Sequence, residues 1–284
     1  MQPDEFQRAF RWACALDVQA RKPGNVSEAS AGHGMQAELF IASAEAAAGP
    51  LCTPGLALGE RIERAMQATL AVAHCNTNLG ILLLCAPLAV ACGNWSREQG
   101  LPPLRRTLEA VLQNLDAADA RAAYRAIAAA QPGGLGDAAQ QDVRAEPSIG
   151  LREAMALAAD RDRIAFQYQH AHTDIFTLGL PAFVSQAQAT GSGSTAAMQR
   201  CYVEYLAAFP DSHIVRKHGA AAAHSVMAEA RPWRERARAG YALDADPAFA
   251  AWDAALKARA INPGTSADLS VATALVAALS SGIA

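Results

Sequence analysis

Apolar residues recur along this chain at helical rather than alternating spacing. From residue 4 to residue 20 they fall at Phe6, Phe10, Ala13, Leu16 and Val18, one face of a first helix that Lys22-Pro23-Gly24 stops. A small, polar stretch from Asn25 to Gly34 follows, and a second helix is expected over 35–48, closed by Gly49-Pro50. Thr53-Pro54 reads as the cap and first residue of a third helix. Its apolar positions Leu56, Leu58, Ile62, Met66 and Leu70 carry it to His74, with Asn76 marking its end. The run from Leu79 makes a fourth helix, which Gly93-Asn94 terminates before a linker containing Pro102-Pro103.

Further along, helices are expected over 104–115 and 117–130, then over 151–171, 173–189, 194–209, 214–240, 247–260 and 266–280. Between 131 and 150, Pro132-Gly133-Gly134, Gly136, Pro147 and Gly150 make the longest irregular region, the natural candidate for a lid. About twelve helices result, with no fixed-period repeat and no flexible linker. The predicted fold is all-α, a single large multi-helix domain over residues 1–284.

Composition supports that reading, since 52% of residues are apolar, with alanine dominant, and only 6% are aromatic, which favours close-packed helices over sheet. A net charge of −3 provides no global basic field, so nucleic acid and anionic membrane are not expected partners. The apolar run 80–92 is interrupted by Pro87 and falls short of the roughly 20 residues that span a bilayer. Six cysteines without a CxxC pair, and an N-terminus (Met1-Gln2-Pro3-Asp4-Glu5) unlike a secretion signal, point to a reduced, cytoplasmic setting.

Four polar clusters interrupt the apolar pattern. Lys22-Pro23-Gly24-Asn25-Val26 puts a cation and a backbone position free to take positive φ between two helices, either to face an anion or simply to connect them. Glu60 and Glu63 lead into His74-Cys75-Asn76-Thr77-Asn78-Leu79-Gly80, whose amides and hydroxyl can bind ribose or phosphate at a helix N-terminus, or merely cap the helices. Asp211-Ser212-His213-Ile214-Val215-Arg216-Lys217 begins a helix with an acidic cap and two cations one turn inside, a pattern suited to a magnesium-bound nucleotide triphosphate or to an ordinary capped helix. Asn262-Pro263-Gly264-Thr265-Ser266-Ala267-Asp268-Leu269 is a fourth helix start with an acid in its first turn. Asp174 reads as an exposed first-turn acid, because a buried one would need a partner. The phosphate-loop, dinucleotide, zincin and serine-hydrolase motifs are absent.

Taken in order, the four clusters resemble the triphosphoribosyl-dephospho-CoA synthase family over nearly the whole chain. Lys22-Pro23-Gly24 is similar to its KPG segment; Glu63-Arg64-Ala65-Met66, Ala68-Thr69 and Asn76-Thr77 to its ExxMxxAT and NTHKG region; Asp211-Ser212 through Arg216 to DTxxxR; and Asn262-Pro263-Gly264 with Ser266-Ala267-Asp268-Leu269 to NPGGSADL. The resemblance implies an all-helical transferase that joins ATP to a ribose hydroxyl of dephospho-CoA and releases adenine. It implies small-molecule partners, ATP and a cofactor precursor, with Mg²⁺ accompanying ATP; a homodimer is the assembly to test. By the same resemblance Glu63, Asp211 and Asp268 are the catalytic candidates, with Asp211 and Asp268 also the candidate metal ligands. Lys22, Gly24, Asn25, His33, Asn76, Thr77, Asn78, Arg216 and Lys217 are the candidates for binding the nucleotide.

Two departures bear on the substrate. Asn78-Leu79 stands where the family has His-Lys, and Asn25-Val26-Ser27 where Leu-Val-Asp is usual. The KPGNV and NTNLG variant is similar to a branch found in archaea and in bacteria that oxidise one-carbon compounds. That likeness implies an alternative, a different ATP-dependent step in making a one-carbon cofactor such as tetrahydromethanopterin or methanofuran. Ligation or phosphoryl transfer with adenine retained, and a non-catalytic helical binding protein, are the remaining readings.

Overall fold

The computed structural model describes residues 1–134, 140–190 and 195–282, and among them the fold is all-α. In chain order the helices are α1 (Pro3–Gln19), α2 (Ala37–Leu51), α3 (Leu58–Ala73), α4 (Leu79–Cys92), α5 (Leu101–Gln113), α6 (Ala117–Ala130), α7 (Leu151–Ala156), α8 (Arg163–Gln169), α9 (Leu180–Thr190), α10 (Thr195–Ala208), α11 (Ser212–Arg238), α12 (Pro247–Ala258) and α13 (Gly264–Ser281). The extended pairing among the described residues is confined to two isolated bridges, Ser27 with Ser30 and Gly32 with Met35, in the connector before α2.

Helix α4 is apolar on every side, α13 intersperses small polar residues among apolar ones, and both are buried. They lie against each other, with α1, α9 and α10 on α13 and α3 and α5 on α4, so the main core forms around them. The amphipathic α3 turns Leu58, Ile62, Ala65, Met66 and Thr69 inward and packs between α2 and α6. A smaller cluster joins Tyr202 and Leu206 of α10, Ile214 and Val226 of α11, and Phe249 and Leu256 of α12. No described helix is long and apolar enough to cross a membrane.

Several boundaries differ from expectation, each for a local reason. Pro50 lies inside α2, which runs on to Leu51. Thr53-Pro54 does not start α3, because Gly55 at φ +77° takes the chain through a turn first. α3 ends at His74, whose backbone is left-handed, and Asn76 instead serves the next helix by accepting the Leu79 N–H at 3.1 Å. Pro102-Pro103 sits in the first turn of α5 rather than in a linker, where the missing N–H groups cost nothing. The expected helix over 151–171 is two, since Asp162 accepts from Ile164 and Ala165 and caps a new start at α8. A π-helical turn (Ile175–Gly179) precedes α9, and Gly219 (φ 84°, ψ 165°) breaks α11 into two helical parts.

Candidate active site

A cavity of about 920 Å³ opens where the four polar clusters meet. Its wall takes Asn25 and His33 from the connector after α1, residues 74–80 from the α3–α4 break, His213, Arg216 and Lys217 from α11, and Asn262, Gly264 and Asp268 from the start of α13. Residues 131–134 and 140–143 of the irregular region also line it; residues 135–139 of the expected lid lie outside the described residues. The volume is near the top of the roughly 300–1,000 Å³ range of small-molecule sites, room for more than one substrate.

The clusters meet because their backbones interlock. Gly24 holds φ +84° with its N–H on Asp253 Oδ1 at 2.8 Å, and a Cβ there would stand 2.8 Å from Pro263 Cδ and 2.9 Å from the Ile261 carbonyl oxygen. The KPG turn is thus seated on the NPG turn. Asn25 Nδ2 donates to Asn262 Oδ1 at 2.9 Å across the same junction, and His33 Nε2 lies 2.7 Å from the Gly24 carbonyl. On the α4 side, Thr77 donates to Ser43 Oγ at 2.7 Å and Thr69 to Asn78 Oδ1 at 3.1 Å, leaving Asn78 Nδ2 buried without a partner. Leu79, where the family has a lysine, is buried in the core.

Four sequence candidates stand away from the cavity wall: Gly24, held in the junction just described, and Lys22, Asp211 and Glu63. Lys22 is fully buried, its ammonium donating to the Asp17 carbonyl at 2.7 Å and the Val26 carbonyl at 3.3 Å and pairing with Asp17 Oδ2 at 3.2 Å. Those contacts use all three N–H groups, so none is left to donate to a ligand. Asp211 is also fully buried and accepts from four groups: the His213 and Ile214 N–H on α11, and the Ser266 N–H and hydroxyl on α13. Its lone pairs are thereby occupied, and it clasps two helix starts together. Glu63 forms a bidentate pair with Arg125 of α6, both contacts at 2.6 Å.

Asp268 is the sequence-predicted acid that faces the cavity. It packs on the first turn of α4, where a Cβ on Gly80 would lie 2.0 Å from Asp268 Oδ2. Burial, then Asp17, then Asp211 hold its carboxyl well above the usual range, and Arg216 opposes them. Among the described residues no group of three His, Cys, Asp or Glu side chains is placed to hold a metal. Cations gather on the α11 wall. Arg216 pairs with Asp162 at 2.5 Å and keeps a buried Nε without a partner, while Lys217 packs its stem on Gly133. Burial first, then Lys217 and Arg216, push the His213 imidazole down to about 3, so the ring is neutral.

Sequence reasoning passed over Asp17, Arg161, Asp162 and His213, all of which line the cavity. Asp17 did carry a signal: it continues the buried face of Phe10, Ala13 and Cys14, where an acid needs a partner. Asp174 corrects the expectation of an exposed acid, being buried and held bidentately by Arg163 (2.7 and 2.9 Å) and by Gln167 (2.6 Å).

No curated protein matches the chain. A crystal structure from Archaeoglobus fulgidus, provisionally assigned as a triphosphoribosyl-dephospho-CoA synthase, shares the fold with a TM-score of 0.66 at 21% identity, covering 85% of this chain and 99% of that one. The family model described as ATP:dephospho-CoA triphosphoribosyl transferase matches residues 3–284. With its four motif segments gathered on one cavity, the chain belongs to the ATP:dephospho-CoA triphosphoribosyl transferase family.

Proposed function

We propose that this transferase moves the triphosphoribosyl group of ATP onto a hydroxyl of dephospho-CoA or a closely related cofactor precursor, releasing adenine. The observation that carries the reading is the coexistence, in one cavity, of a cationic wall and a carboxyl pair. Arg161, Arg216 and Lys217 supply the charge a triphosphate needs, and Asp17 and Asp268 supply acids for the ribose carbon. Glycosyl transfer passes through an oxocarbenium-like carbon, which carboxylates stabilise.

Each group then has a task. The α11 cations fix the polyphosphate, Asn25 and Asn78 hold the ribose or base by their amide edges, and Asp268, kept protonated by its surroundings, donates to the departing adenine. Magnesium enters with its substrate as MgATP, since the described side chains do not assemble a metal cage and Asp211 is saturated.

Incubation with MgATP and dephospho-CoA tests the reading, with free adenine and a triphosphoribosyl adduct expected by chromatography and mass spectrometry. Turnover with adenine retained as ADP or AMP would sink it. A pterin or furan precursor of a one-carbon cofactor is the second acceptor to try, because α4 offers Asn78 and a core-buried Leu79 in place of two basic side chains.

A further inference from the structure

A fully buried ion pair lies behind the cavity. Lys22 is completely enclosed, and Asp17 is its only salt-bridge partner among the described residues. Replacing such a pair by apolar residues is often neutral or stabilising, so its retention calls for a use. The two ends of the pair differ. Every N–H of Lys22 is taken, whereas Asp17 uses one carboxylate oxygen for Lys22 and leaves Oδ1 buried with no hydrogen-bond partner, on a residue that lines the cavity.

We propose that Asp17 is a second catalytic carboxylate, taking the proton of the attacking hydroxyl, and that Lys22 is the positioning residue that presents it ionised to the cavity. The inference rests on the glycosyl-transfer reading. As the O–H bond of the acceptor breaks, its proton passes to Asp17 and the oxygen bonds to C1′ of the ATP ribose. The C1′–N9 bond breaks with its electron pair going to adenine, which takes a proton from Asp268. Solvent then returns a proton to Asp268 and removes one from Asp17.

The surroundings separate the two acids. Burial raises the Asp17 carboxyl above its ordinary value, and the Lys22 ammonium at 3.2 Å limits that rise. Asp268 forms no ion pair among the described residues; burial, then Asp17, then Asp211 raise it, and the more distant Arg216 only opposes them. The other titratable groups that sense Asp17 or Lys22 are Asp253 and Lys257 of α12, Tyr202 of α10 and Cys14 of α1 itself. A pair of acids driven apart in this way divides into base and acid.

The test compares wild type with Asp17→Asn, Lys22→Met, Lys22→Arg and the charge-free double variant Asp17→Asn/Lys22→Met. Asp17→Asn is expected to lower kcat by about 10²–10⁴-fold with the KM for ATP little changed. Lys22→Met should move the acidic limb of the kcat/KM profile to higher pH by about 1–3 units, and Lys22→Arg should move it back. Carbon-13 NMR of the aspartates in the ligand-free protein follows the same titration without turnover. Should Asp17→Asn, or the double variant if the single one fails to fold, keep kcat within tenfold of wild type, Asp17 is not the base. If Asp17 titrates alike in wild type and Lys22→Met, Lys22 does not set its charge. Adenine retention by wild type would overturn the reaction class, and the same comparison on the product then formed still decides whether Asp17 acts.

Discussion

Asp211 and Ser266 tie the starts of two helices together: the same carboxylate that caps α11 accepts the Ser266 N–H at 2.7 Å and its hydroxyl at 2.8 Å at the head of α13. A free helix N-terminus leaves N–H groups without partners, and here one buried anion satisfies both ends. The contact aligns the cationic turn of α11 with the turn that carries Asp268.

Asp211→Ala removes a cap and strands a buried N–H, and is expected to lower unfolding free energy by about 3 kcal/mol. Asp211→Asn keeps an accepting oxygen at the cap and should lose roughly half as much. Urea unfolding measures both. A clasp role predicts that the folded Asn variant retains kcat within about tenfold; a collapse of kcat at unchanged stability would make Asp211 catalytic instead.

Gly80→Ala should act on Asp268 rather than on α4. Alanine favours a helix by about 1 kcal/mol, but its methyl would stand 2.0 Å from Asp268 Oδ2 and 2.7 Å from Ile164 Cδ1. The carboxyl must move, and kcat is expected to fall about a hundredfold. In an Asp268→Asn background the same substitution should add little. Steady-state kinetics of the double-mutant cycle separates this from simple damage to packing.

His172 predicts a pH dependence of stability. Buried completely, with Nε2 3.0 Å from the Leu84 carbonyl oxygen, it is pushed down to about 4 because burial outweighs its backbone hydrogen bonds. The unfolded chain therefore binds a proton near 6.5 that the folded chain refuses. The contribution of about 3 kcal/mol is fully present above 6.5 and is lost as pH falls towards 4. The stability gap between wild type and His172→Gln should narrow by that amount from pH 7 to pH 4, measured by denaturant unfolding; a constant gap contradicts the burial argument.

Lys217 is exposed and cavity-lining, and forms no ion pair among the described residues. Lys217→Ala is expected to raise the KM for ATP about tenfold with kcat within threefold, an effect that shrinks at high ionic strength. Kinetics with ATP at low and high salt check both parts. An unchanged KM would remove Lys217 from the triphosphate site.

Local chemistry accounts for what was legible beforehand. Helix positions followed from spacing, and the cavity's composition from four ordered clusters, since Asn25, Asn78, Arg216 and Asp268 all reach the same wall. Roles were harder to read. Lys22 and Asp211 have the residue types of a phosphate cation and a metal ligand, yet each is saturated by neighbours 5 and 55 residues away, which no local pattern announces. Glu63 looked catalytic by motif, but the α3–α6 packing pairs it with Arg125.

By itself the sequence determined the all-α class, because periodicity, alanine content and turn residues act within a few positions of one another. It determined the family too, through the order of its motifs. Only the tertiary structure decided which carboxylates are enclosed by donors and which line the cavity: burial and hydrogen bonding depend on what folding brings alongside, and that surrounds Asp211 with four donors while Asp17 and Asp268 stand on the cavity wall.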